Sequence, residues 1–166
     1  MLRLFGEVKE SITDGPGLRY AVFTQGCPHY CPGCHNPESH SFTDGYLVSE
    51  AALIERILSN PLLDGVTFSG GEPFMQAKEL ASVASAVKEK GLSVIIYSGY
   101  TFDELLELSA VREGYMDLLK NTDILIDGRF EAGKKSHDLR FRGSTNQRAI
   151  DIPKTLENGE IVLFPL

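Results

Sequence analysis

Strand-like and helix-like segments alternate along this chain, and for a sequence of 166 residues that pattern restricts the fold more than anything else in it. "LRYAVFTQG" (18–26) is rich in β-branched and aromatic residues and ends on a glycine, as a strand does. Ser49 is placed to cap a helix over "EAALIERIL", which stops ahead of Asn60-Pro61. "GVTFSGG" (65–71) reads as a second strand, and "AKELASVASAVKEKG" (77–91) as a helix with Gly91 just past its end. "LSVIIYSGY" is a third strand, Thr101 and Glu104 form a capping box for "FDELLEL", and "TDILIDG" (122–128) is a fourth strand. "EIVLFPL" at the C-terminus predicts one more. Strands alternating with helices imply right-handed crossovers and a parallel sheet. A complete eight-fold barrel takes about 250 residues. The expectation is therefore an α/β single domain over residues 1–166, an incomplete, open parallel (β/α) barrel.

In parallel α/β architectures the carboxyl ends of the strands share one face, and ligands bind there. Each predicted strand runs into an unusual loop: "GCPHYCPGCHN" (26–36), then "SGGEPF", "SGYT" and "DGRF". The first holds all three cysteines, Cys27, Cys31 and Cys34. A disulfide would leave one thiol over. Two metal readings stand beside it. Three thiolates with His29 or His35 make a closed Cys₃His zinc site, the mark of a zinc-stabilised interaction module without catalysis. Alternatively, three thiolates hold a 4Fe-4S cluster that normally takes four, leaving one iron open to substrate.

Composition narrows the partners. A net charge of −7 argues against nucleic acid. The charge is uneven: residues 129–148 carry six basic and two acidic side chains, a net +4, which leaves −11 on the rest. "MLRLFGEVKE" is not a signal peptide, since Arg3, Glu7 and Lys9 interrupt its short apolar run. No run approaches the roughly 18 apolar residues of a membrane span. Clustered cysteines in an untargeted chain predict a cytoplasmic protein using thiolates as ligands.

C-x₃-C-x₂-C after the first strand, with Gly70-Gly71-Glu72-Pro73 after the second, resembles the radical S-adenosylmethionine (SAM) superfamily. "TDGPGLRYAVFTQGCPHYCPGCHNPES" is similar to the activating enzymes of glycyl radical enzymes. "CPGCHNP", "YSGYTFDEL", "DILIDGRF" and "FRGSTNQRAID" resemble the branch that activates anaerobic (class III) ribonucleoside-triphosphate reductase, from about residue 5 to the C-terminus. The resemblance implies one 4Fe-4S cluster on Cys27, Cys31 and Cys34, with SAM chelating the open iron. It implies a flavodoxin-type electron donor, reductive cleavage of SAM, and abstraction of a glycine Cα hydrogen from the partner reductase. A homodimer, or a complex with the reductase, fits such a role. The alternatives are an activase of pyruvate formate-lyase type and a small radical enzyme acting on a free metabolite.

For the residues, the resemblance implies that Gly70, Gly71, Glu72 and Pro73 receive the methionyl ammonium, with Ser69 beside them; a carboxylate next to an ammonium makes a charge-assisted hydrogen bond. The residue ahead of the third cysteine is commonly large and apolar in the superfamily, but here it is Gly33. Adenine packing is therefore expected from the backbone of Gly33, Cys34 and His35, or from Tyr97 or Phe68. His35 and Asn36 are placed to hydrogen-bond near the cluster, and Ser98 to meet the ribose or methionyl carboxylate. Asp14 and Gly15, in a turn-forming Asp14-Gly15-Pro16-Gly17, are candidates for partner docking. Arg140, Arg142 and Arg148 are further docking candidates, and "FRGSTNQR" is a segment able to fold back to the site.

Overall fold

A computed structural model describes residues 1–166. Its four parallel strands are the four predicted: β2 (Arg19–Thr24), β4 (Gly65–Gly70), β5 (Ser93–Tyr97) and β6 (Ile124–Asp127). Three more strands flank them. β1 (Leu2–Ser11) runs antiparallel to β2, β3 (Tyr46–Val48) runs antiparallel to β1, and β7 (Arg148–Asp151) runs antiparallel to β6. The result is one seven-stranded sheet in the order β3-β1-β2-β4-β5-β6-β7.

Five helices connect and follow the strands: α1 (Glu50–Leu58), α2 (Ala77–Glu89), α3 (Phe102–Ser109), α4 (Tyr115–Lys120) and α5 (Ile152–Asn158). Ser49 accepts from the Ala52 N–H, and the Thr101–Glu104 capping box is complete. The C-terminal segment departs from expectation. "EIVLFPL" forms no strand; it crosses β7 with a single bridge, Leu163 to Ile150. The Pro165 ring removes a donor from that ladder.

Side-chain alternation splits the sheet into two unlike faces. Tyr20, Val22, Val66, Phe68, Val94, Ile96 and Leu125 point toward the helices, whose Leu53, Leu80, Leu105 and Leu118 complete the main core. The opposite face bears Ile95, Ile124, Ile126 and Ala149, against which Tyr97 and the tail residues Phe164 and Leu166 pack. Arg19 also lies on this face, almost wholly buried. All five of its N–H donors find neutral oxygens: Thr67 Oγ1, Pro16 O, Ser93 Oγ, Val66 O and Ser93 O, at 2.8 to 3.2 Å. Burial depresses its pKa to about 10.

Candidate active site

The loops leaving β2, β4, β5 and β6 line one cavity of about 500 Å³, open on one side. The cysteine loop closes on itself at its base: Gly26 N–H donates to Ser39 O at 2.7 Å, and Cys27 N–H to His40 O at 3.1 Å. The Gln25 amide donates to Glu38 O and Ser41 O, tying the far side. Cys27 is buried, Cys31 and Cys34 are half-buried, and all three face the cavity. Burial pushes the Cys27 thiol up to about 11, and raises Cys31 as well. The main chain at His29 and Tyr30 opposes that rise at Cys27, and the main chain at Phe130 opposes it at Cys31. Cys27 and Cys31 thus hold their protons more firmly than free thiols do, and a bound metal centre would displace them.

No group of three or more His, Cys, Asp or Glu side chains converges tightly enough for a single metal ion. A zinc site draws four donors to one point, with Zn–S near 2.3 Å. A cluster instead spreads its thiolates over separate irons.

Ser69, Gly70 and Gly71 line the cavity. Both glycines are required by close approach. A Cβ on Gly70 would lie 2.5 Å from Thr24 N, at a backbone φ of +94°; one on Gly71 would lie 2.4 Å from Gly26 O. Glu72 and Pro73 do not line it. The Glu72 carboxylate points beneath the loop, fully buried, and accepts four hydrogen bonds. Phe74 N–H and Ser98 O–H reach Oε1 at 3.0 and 2.9 Å, and Gly99 N–H and His29 Nε2–H both reach Oε2 at 2.8 Å. These four bonds fill the roughly four acceptor positions of a carboxylate.

Tyr97, Ser98, His35 and Asn36 line the cavity. Tyr97 is occupied: its hydroxyl donates to Phe141 O at 2.6 Å, and burial raises its pKa. Gly33 sits at a left-handed φ of +76°, its missing side chain facing Phe130 and Ala132 at ordinary contact distance. Phe68 is excluded from the cavity, being buried in the core on the helix side. Phe130 and Phe141, which the sequence reading passed over, supply the aromatic surface instead. Phe130 lies 4.9 Å from the His35 ring. The signal for it was its place three residues after the end of β6, in "DGRF".

The docking candidates separate. Asp14 lines the cavity and its carboxylate accepts from Ser11 Oγ. Gly15 does not; a Cβ there would meet Ile95 at 2.7 Å and Arg19 at 3.0 Å, so its role is to let the turn lie flat. Arg140 is exposed, with its guanidinium 5.4 Å from the Phe141 ring centroid. Arg142 reaches into the cavity with a buried Nε that has no partner. Arg148 is committed to Asp127 by two bonds. Gln147, also unforeseen, folds the segment back over the site: its Oε1 accepts from Gly143 N–H at 2.8 Å and its Nε2 donates to Gly128 O at 3.0 Å.

A family described as a 4Fe-4S single cluster domain matches residues 13–150. The anaerobic ribonucleoside-triphosphate reductase-activating protein of Enterobacteria phage T4 is 31% identical over 141 residues, covering 81% of this chain and 85% of that protein. Its namesake in Escherichia coli K12 is 31% identical over 146 residues, 82% and 90% of the two chains. The chain belongs to the anaerobic ribonucleoside-triphosphate reductase-activating protein family. Activating proteins of a second kind are related as well. The pyruvate formate-lyase-activating enzyme of Clostridium pasteurianum is 34% identical over 121 residues, but these cover only 47% of its length. Membership in this reductase-activating family makes the chain a 4Fe-4S oxidoreductase and removes the zinc-module alternative. No helix is long and apolar enough to cross a membrane.

Proposed function

We propose that this protein activates anaerobic ribonucleoside-triphosphate reductase by leaving a glycyl radical on it, as one radical SAM domain spanning residues 1–166. The observation that carries this reading is the meeting of Cys27, Cys31 and Cys34 with Ser69, Gly70, Gly71 and Ser98 around one cavity. Cys27, Cys31 and Cys34 would hold a 4Fe-4S cluster. The chemistry supplied there is one electron to the sulfonium of SAM, giving methionine and a 5′-deoxyadenosyl radical that removes a glycine Cα hydrogen from the partner.

The chain's own residues do the rest. Main-chain N–H groups at His29, Tyr30 and Phe130 would donate to the ligand sulfurs, and such bonds tune a cluster's potential. The Ser69–Gly71 backbone receives the methionyl ammonium, with Glu72 bracing it from below. Phe130 and Phe141 take the adenine that Gly33 leaves without a side-chain platform. Tyr97 keeps its O–H in a 2.6 Å bond to Phe141 O, so the phenol is withheld as a stray hydrogen donor. The sheet acts as an incomplete, open barrel whose open side admits a glycine-bearing loop. A flavodoxin-type protein in the cytoplasm delivers the electron, and the activator works as a homodimer or bound to the reductase.

A formate-lyase-type partner is the second reading, favoured by the Clostridium pasteurianum relative. The reductase is preferred because its activators match over most of both chains. Incubating the reduced, SAM-loaded protein with each partner in turn decides between them. A glycyl radical signal by electron paramagnetic resonance (EPR) on the reductase supports the proposal; a signal on the formate-lyase alone overturns the choice of partner.

A further inference from the structure

Glu72 stitches together three loops that belong to different strands. Its Oε2 receives the His29 imidazole from the cysteine loop and Gly99 N–H from the loop after β5, while its own backbone lies in the loop after β4. The two side chains are 5% and 0% exposed and 2.8 Å apart. His29 lies midway between Cys27 and Cys31, two residues from each. The imidazole has little freedom. Tyr100 meets it edge-on with centroids 4.5 Å apart, and even a methyl group at Gly99 would fall 2.4 Å from its Cδ2. A residue whose side chain is fixed this firmly also fixes the direction of its backbone N–H.

We infer that His29 is a positioning residue: its bond to Glu72 sets the register between the cysteine loop and the Gly70-Gly71 loop, and with it the direction of the backbone N–H groups between Cys27 and Cys31. The inference rests on the proposed use of Cys27, Cys31 and Cys34 as cluster ligands and Gly70-Gly71 as part of the SAM site. Cutting the bond frees the loop between Cys27 and Cys31 to swing away from β4. Backbone N–H groups of that loop would then be drawn away from the ligand sulfurs, leaving more negative charge on them, so the cluster becomes harder to reduce. The SAM site, built from both loops, loses its spacing at the same time.

The test compares wild type, His29→Leu and His29→Gln after anaerobic iron reconstitution. EPR-monitored redox titration reads the midpoint potential, equilibrium binding reads SAM affinity, and thermal melts read stability. With His29→Leu the potential moves to more negative values and SAM affinity falls about tenfold or more, the scale typical of lost outer-shell partners. His29→Gln, which keeps an N–H donor directed at Glu72, restores the wild-type potential and returns SAM affinity to within about threefold of wild type. A His29→Leu protein that keeps the wild-type potential and SAM affinity, even with a lower melting temperature, overturns the inference. If His29→Leu takes up no iron, the glutamine variant decides: wild-type behaviour supports the role, and loss of iron there too refutes it. A wild-type protein that takes up no cluster overturns the proposed function as well as this inference, so the two failures are distinct.

Discussion

Arg148 grips Asp127 with two bonds, Nε to Oδ1 at 3.1 Å and the terminal nitrogen to Oδ2 at 2.6 Å. Asp127 ends β6, is buried, and its Oδ2 also accepts from Phe102 N–H at 2.8 Å, the first residue of α3. The ion pair therefore joins β6, β7 and a helix start. Arg148→Ala leaves a buried carboxylate without its cation. It should cost about 2 kcal/mol in urea unfolding, less than a fully buried pair because the guanidinium is 36% exposed. The docking surface should not change: when corrected for folded fraction, Arg148→Ala activates the reductase normally. A selective loss of activation at full stability would restore Arg148 to the interface.

Arg140 and Arg142 are two residues apart yet should fail differently. Arg140 is exposed, so Arg140→Ala slows encounter with an acidic partner and flattens the salt dependence of activation, while 5′-deoxyadenosine formation stays unchanged. Arg142 reaches the cavity with an unpartnered Nε, so Arg142→Ala weakens SAM binding by about tenfold, the loss of one charge-assisted hydrogen bond. Isothermal titration with SAM separates them; equal SAM affinities in the two variants would contradict the assignment.

Gly71→Ala tests the close approach of the two ligand-bearing loops. Its Cβ would stand 2.4 Å from Gly26 O, a backbone atom that cannot swing aside. Overpacking of this kind costs about 3 kcal/mol. The protein should either melt well below wild type or fold with its cysteine loop displaced and iron uptake reduced. A variant with wild-type stability and iron content would show that the loops do not meet as described.

Glu7 predicts an acid-side stability loss far from the site. Burial alone would raise its pKa, but hydrogen bonds from Tyr20 at 2.6 Å, Tyr46 at 2.5 Å and Arg56 at 2.8 Å outweigh it and hold the carboxyl below its usual range. A depressed folded pKa stabilises above the unfolded value, about 4.3 for glutamate, and the gain disappears as pH falls through the folded value. Glu7→Gln should cost about 1 kcal/mol at pH 7 and converge on wild type near pH 3. Unfolding curves that stay parallel from pH 7 to pH 3 would contradict the depression.

The parallel centre of the sheet was legible because each of its strands is a short apolar run bounded by glycine or a cap, as "GVTFSGG" and "LSVIIYSGY" are. The flanking strands were not. β1 carries Gly6 in mid-strand and exposed Lys9 and Glu10 sites, and gains its strand character from pairing with β2 rather than from its own pattern. β7 is only four residues long and holds Arg148, whose partner lies on β6. At the site, cysteine spacing and paired glycines point to ligands, since few other reasons place them there. Phe130 and Phe141 carry no such mark: only the fold of residues 129–148 across the cavity, pinned by Gln147, brings them in. The inward turn of Glu72 was not legible because a motif names its residues but not the direction of a side chain, and here His29, Ser98 and Gly99 hold it.

The central claim is that three cysteines hold a cluster that splits SAM. Anaerobically reconstituted protein, mixed with dithionite and SAM, is assayed for 5′-deoxyadenosine beside Cys31→Ala. The account predicts brown protein with about four irons per chain that releases 5′-deoxyadenosine, and a Cys31→Ala variant that releases none. Colourless protein holding one zinc and making no 5′-deoxyadenosine would contradict it.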